Sequence, residues 1–145
     1  MARILVLALL LVSLHSFGQV REVPTVVKDA FAKQYPAVDS VTYEDNLVSV
    51  QVNFLSEGKK MVAAYTNKGK WKDTQEASDY ESLNEEIKKG FDKSKYAEWK
   101  ILETKIIHRP GNVTQYRIKV EKNNIQKKHL FFNKTGRLLD DSITL

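Results

Sequence analysis

The chain has no cysteine. That absence excludes disulfides, a thiolate nucleophile, cysteine-ligated metals and a lipid-modified cysteine together. Glycine and proline are scarce, at 6 and 3 residues, and G-x-G-x-x-G does not occur. A phosphate-cradling loop needs Gly-Lys followed by Ser or Thr. Here Gly58-Lys59 is followed by Lys60 and Gly69-Lys70 by Trp71, so both read as hairpin turns. No G-x-S-x-G turn presents an activated serine, and Ser94 and Ser142 fall near histidines without any such context. Long apolar runs are missing after residue 18, so no membrane-spanning segment is expected beyond that point.

The first eighteen residues differ from the rest. Arg3 precedes an apolar run from Ile4 to Leu14, and Ser16 and Gly18 supply the small side chains of a signal-peptidase site. The run is too short to cross a bilayer, which needs roughly 20 residues. Cleavage is expected after Gly18, with Gln19 as the new N-terminus, giving a periplasmic or secreted protein without membrane insertion. Removing Arg3 lowers the net charge from +5 to +4. The lysines are spread in ones and twos along the chain, with no basic block, so no nucleic acid partner is expected.

Two hydrophobic periods follow. Val23, Val26, Val27, Ala30 and Phe31 lie on one face of a helix from about Pro24 to Gln34. The period then becomes two. A strand at Ser40 to Glu44 turns at Asp45-Asn46, and Val48, Val50, Val52 and Phe54 alternate with polar residues. Glu57-Gly58 makes a hairpin turn, Lys59 to Thr66 returns, and Lys70 to Thr74 continues after Asn67-Lys68-Gly69. Gln75 to Tyr80 reads as a short polar connection.

The order then repeats. Leu83, Ile87, Gly90 and Phe91 each lie 60 residues after Val23, Val27, Ala30 and Phe31. Trp99 to His108 is the first strand of the second set, and Tyr116, Ile118 and Val120 alternate in the next. Gln126 to Phe132 ends at Asn133-Lys134-Thr135-Gly136, the counterpart of Asn67-Lys68-Gly69. The predicted fold is α+β: two tandem helix-plus-four-strand units, residues 19–78 and 79–145, following a signal peptide at 1–18. One such unit buries too little apolar surface to be secure alone. The two are therefore expected to form one antiparallel sheet of about eight strands with both helices on one face.

Val23-Pro24, Phe31, Tyr35-Pro36 and the turn Tyr65-Thr66-Asn67-Lys68-Gly69, repeated as Phe131-Phe132-Asn133-Lys134-Thr135-Gly136, carry a resemblance. Together with the export signal they resemble the PepSY-like, beta-lactamase-inhibitor-like family of small periplasmic proteins of Bacteroidetes-type bacteria. The second helix departs from the family's usual Leu-Pro or Val-Pro start, having Leu83-Asn84, where Asn84 still serves as a cap. The turns carry Asn67 and Asn133 where aspartate is more usual, and either residue suits a turn. The resemblance implies no catalysis, no cofactor, and a binding or inhibitory role at the cell envelope.

The residues themselves leave only surface chemistry. His108 and His129, with Asp140 or Asp141, could in principle hold a metal, but no spacing presents two ligands from one element. Glu85 and Glu86 point about 100° apart on a helix and suit its positive N-terminus. The sequons Asn112-Val113-Thr114 and Asn133-Lys134-Thr135 read as turns. Tyr65, Trp71, Trp99 and Phe131 read as core. If the apolar strand residues face the helices, Ser49, Gln51, Asn53, Gln115, Arg117 and Lys119 form an outward sheet face able to bind a partner. The expected function is an exported, non-enzymatic module that binds or inhibits a protein or peptide of the envelope. A small-ligand or metal-cation carrier, using Asp140 and Asp141, is the alternative, and a structural envelope component a third.

Overall fold

The computed structural model describes residues 22–144. The export signal, its cut after Gly18 and the new terminus at Gln19 lie outside the described residues.

Helix α1 (Thr25–Gln34) leads into β1 (Asp39–Asp45), β2 (Ser49–Ser56), β3 (Lys59–Thr66) and β4 (Trp71–Ser78). A single 3-10 turn, Tyr80–Ser82, precedes α2 (Glu85–Asp92), and β5 (Lys100–Arg109), β6 (Val113–Lys122), β7 (Gln126–Asn133) and β8 (Leu138–Thr144) follow. The strands form one antiparallel sheet in the order of the chain, β1 to β8, with β1 and β8 at its edges.

Local chemistry sets the turns. Glu57 and Gly58 have φ of 51° and 77°, the left-handed pair of a tight hairpin. Asn133 holds the β7–β8 turn with one side-chain oxygen, which accepts from Thr135 N (3.1 Å), Thr135 Oγ1 (2.8 Å) and Arg137 N (2.9 Å). That sequon therefore builds a turn, as read. Asn84 caps α2 by accepting from Ile87 N at 3.0 Å. Pro24 stands in the capping position of α1 and offers no side-chain acceptor.

Two boundaries differ from expectation. Strand β4 runs to Ser78 rather than stopping at Thr74, because Gln75 and Glu76 pair with Val62 and Met61 on one side and with Ile107 and Ile106 on the other. Polar composition concealed a strand with a neighbour on each flank. Helix α2 begins after Asn84, and Leu83 is buried from the turn before it.

Each helix seats on its own apolar cluster. Val27 and Phe31 of α1 bury against Val50, Val52, Phe54, Ala63 and Tyr65. Ile87 and Phe91 of α2 bury with Leu83, Tyr96, Ile118, Val120, Leu130 and Phe132. Tyr65 is core, as predicted, and Trp71 and Trp99 pack at the margins of the two clusters. Phe131 is not core: it neighbours Phe132 in β7, so its side chain emerges on the other sheet face.

Candidate functional site

Directly opposed residues on neighbouring strands share a sheet face. The register yields one continuous row across six strands: Asn53, Val62, Gln75, Ile107, Gln115 and Asn133. Carboxamides and aliphatic side chains alternate along it as far as Gln115, and Asn133 adds a further carboxamide at the end. An adjacent row runs from Lys105 through Arg117 and Phe131 to Asp140, and a third joins Glu103, Lys119, His129 and Ser142. All the expected site residues, Ser49, Gln51, Asn53, Gln115, Arg117 and Lys119, are half-buried on this surface. They form two groups, on β2 and β6. Four strand spacings separate these groups, about 19 Å. A small molecule would touch one group; an extended chain or a protein loop would reach both.

Several residues of this surface escaped the sequence reading. Leu55, Lys60, Val62, Gln75, Ala77 and Lys105 line a groove of about 470 Å³ beside Asn53. The missed signal was adjacent apolar pairs. Val62-Ala63, Ile106-Ile107 and Phe131-Phe132 each put one apolar side chain on each face of the sheet. Ile107 is only 3% exposed although it lies between Gln75 and Gln115 in the open row.

Charge on this surface is unevenly compensated. Lys105 lies directly opposite Arg117, an arrangement that is unfavourable alone. Glu103 relieves it, at 2.9 Å from Lys105 and 3.3 Å from Arg117. Burial pushes the Glu103 carboxyl up, but the two cations outweigh it and hold the group below its usual range. Lys119 lies opposite His129. Burial depresses the His129 imidazole, and Arg117, Lys119 and Lys105 depress it further against the pull of Glu103.

The residues weighed as catalytic or metal-binding are dispersed. His108 lies opposite Thr74, whose hydroxyl meets that of Tyr35 at the end of α1, so it occupies the face opposite His129. Asp140 lies opposite Phe131 on the open surface. Asp141 is not a free outward carboxylate. It lies opposite Leu130 and is paired with Lys128 at 2.5 Å and Lys95 at 3.6 Å. Among the described residues no group of three or more histidine and acidic side chains is placed to hold a metal. Register sets Ser142 opposite His129, and no hydrogen bond joins them. Ser94 accepts from Tyr96 N at 3.1 Å, a turn bond. Glu85 pairs with Lys88 at 2.8 Å on the helix surface.

No protein family profile matches the chain, and no curated protein matches it. Solved structures do. A DUF2874 family protein from Bacteroides ovatus is similar with a TM-score of 0.78 at 23% identity, over 85% of this chain and 89% of that one. A BLIP-like protein from Bacteroides fragilis gives 0.78 at 20% identity, over 87% and 89%. A protein from Bacteroides eggerthii, provisionally assigned to the periplasm, gives 0.75 at 18% identity, over 85% and 90%. These names agree with the beta-lactamase-inhibitor-like, Bacteroidetes side of the sequence resemblance; none of them is PepSY. The chain shares its fold, nearly end to end, with DUF2874 and BLIP-like proteins of Bacteroides.

Proposed function

We propose that the chain is an exported, non-enzymatic module of the cell envelope that holds a protein or peptide partner on its open sheet face. In this reading residues 1–18 are the export signal. Residues 19–78 and 79–145 are two copies of one helix-plus-four-strand unit, with both helices on one face. The register supports that arrangement. Thr74 opposes His108 and Glu76 opposes Ile106, while Ile106 opposes Tyr116, so the α1 cluster and the α2 cluster continue one another across β4 and β5. The opposite face is then free along the row from Asn53 to Asn133. That row is the observation that carries the proposal. Asn53, Gln75 and Gln115 supply donors and acceptors, and Val62 supplies apolar contact above the buried Ile107, over a length suited to an extended chain. The BLIP-like name of one fold neighbour points in the same direction.

A photo-crosslinker placed at Gln115 and at Asn53 in living cells tests this reading. Both positions are expected to trap the same envelope protein, while a crosslinker at Lys33 on α1 is expected to trap none. Equal adducts from all three positions would refute it.

The groove beside Asn53 supports a second reading, a carrier of small amphipathic anions, with Leu55, Val62 and Ala77 around the apolar part and Lys60 and Lys105 near the charge. Saturable stabilisation by a fatty acid, abolished in Val62→Asp, would favour it. The metal-cation version has no comparable support, since Asp140 and Asp141 lie on opposite faces and Asp141 is ion-paired.

A further inference from the structure

A meander places alternate hairpins at the same end of its sheet. The β1–β2, β3–β4, β5–β6 and β7–β8 turns therefore lie along one rim. Cations dispersed in the sequence meet there: Lys68 and Lys70, Arg109, Lys134 and Arg137, all exposed. None of them takes part in an ion pair among the described residues. The acids on neighbouring segments are Glu22, Asp45, Asp73, Glu86 and Asp140, the last lining one cleft with Arg109.

The same rim carries projecting apolar side chains. Leu47 is 75% and Val48 81% exposed at the β1–β2 turn. Val26 and Val113 are about half exposed beside them and at the β5–β6 turn. The turns touch: Asn67 Nδ2 donates to the Leu47 carbonyl at 2.6 Å, and Gly69 lies against Val26. Leu47 has φ of +63°, a conformation in which leucine is strained and asparagine or glycine is at ease. Strain and exposure together keep an apolar side chain outside the fold.

The other end differs. Ile125 and Ile143 are as exposed there. However, the nearby Lys127 and Lys128 are paired with Glu121 and Asp141. Lys60, Lys100 and Lys122 at that end are exposed and in no ion pair among the described residues. The first rim differs in that none of its five cations is paired among the described residues, whereas three lysines of the other end, Lys59, Lys127 and Lys128, are paired.

We propose that this rim docks on an anionic phospholipid surface, with Leu47 and Val48 entering the acyl boundary and Lys68, Lys70, Arg109, Lys134 and Arg137 against the phosphates. Projecting tips form no socket for a partner's side chain, whereas a bilayer offers a phosphate layer over an apolar one. The protein would lie on the surface without crossing it. The open sheet face remains available for its partner.

Vesicle co-sedimentation tests this. The chain beginning at Gln19, which contains every element of the fold, is mixed with vesicles of phosphatidylcholine alone or with an equal part of phosphatidylglycerol. Binding is expected only to the anionic vesicles and is expected to fall as salt rises. K68E/K70E/K134E should weaken it on the order of 100-fold. L47N/V48S, which relieves the strained turn and leaves net charge unchanged, should weaken it on the order of 10-fold while keeping the melting temperature. K60E/K100E and I125S, away from the rim, should change little. Any of four results would overturn the proposal: equal binding to neutral vesicles, no loss in K68E/K70E/K134E, no loss in L47N/V48S, or an equal loss in K60E/K100E. Tighter capture of duplex DNA or of an acidic protein than of anionic vesicles would assign the rim to that partner instead.

Discussion

The two helices seat on the sheet by different means. In the α1 half, aromatic and polar groups do the fitting. Phe31 meets Tyr35, Tyr43, Phe54 and Tyr65 with ring centroids 5.0 to 6.4 Å apart. Beneath them Thr74 Oγ1 bonds the Tyr35 hydroxyl at 2.6 Å and accepts from Trp71 Nε1 at 2.9 Å, while Tyr65 donates to Gln34 at 2.8 Å. The α2 half is also rich in rings, with Tyr80 against Phe91 and Tyr96 against Trp99, but its helix is fitted by removing side chains. Gly90 of α2 and Gly136 of the β7–β8 turn face one another so closely that a Cβ on either would come within 1.9 Å of a backbone oxygen. In the α1 half the helix position 60 residues before Gly90 is Ala30, and a Cβ on Gly69 would be 2.8 Å from the Val26 oxygen. One architecture thus tolerates a looser helix held by side chains or a tighter helix held by backbone contact.

The glycines give the largest expected effect. Gly136→Ala combines a φ of +75° with collision against the Glu86 carbonyl, and a loss of more than about 4 kcal/mol is expected in denaturant melts. Gly69→Ala, with the same φ and a milder contact, should cost about 1–2 kcal/mol. Equal losses would break the comparison. The second test is Thr74→Val, which strands the Trp71 indole N–H, leaves the Tyr35 hydroxyl only its 3.3 Å bond from Gln34 Nε2, and should cost about 2 kcal/mol. Thr104→Val in the other half removes only one bond, to the Ser78 carbonyl, and should cost about 1 kcal/mol.

A smaller contrast lies at the helix starts. Asn84→Ala should cost about 1 kcal/mol by removing the cap of α2. Pro24→Ser should be nearly neutral, because a new side-chain cap on α1 offsets the lost rigidity of proline. A large loss in the second variant would show that α1 depends on Pro24 for more than its start.

How much of this was legible follows the physics of each signal. The period change near residue 40, Glu57-Gly58 and Asn84 fix local geometry through the chain itself, so helices and turns were read to within a few residues. The end of β4 was not, because Gln75 and Glu76 are held by two neighbouring strands rather than by propensity. The site was half legible. Alternation placed Arg117 and Lys119 outward, and Lys105 and Ile107 join them through the β5–β6 hairpin, but Gln75 joins only through the β4–β5 pairing, which no local pattern encodes. The basic rim was invisible for the same reason: Lys68, Arg109 and Lys134 are far apart in sequence and meet only when the hairpins align.

The smallest expected effect is a pH dependence that sets one acid of each half against the other. In the α2 half a hydrogen bond from Lys128, reinforced by Lys95, holds the Asp141 carboxyl at about 2. In the α1 half burial raises Glu76, but Lys59 and His108 outweigh it and leave the group below its usual range. Both acids release their protons more readily in the fold than in the open chain. Their contribution is therefore fully present above the unfolded carboxyl values of about 4, and is lost as pH falls through the folded ones. Asp141→Asn should flatten the fall in melting temperature between about pH 4 and pH 2. Glu76→Gln should flatten a narrower part of it, because its depression is the lesser. Added salt should shrink the Asp141 effect, since Lys95 and Lys128 meet it near solvent. An acid limb unchanged by Asp141→Asn would mean that this ion pair forms equally well in the unfolded chain and does nothing to fasten β8 to β7.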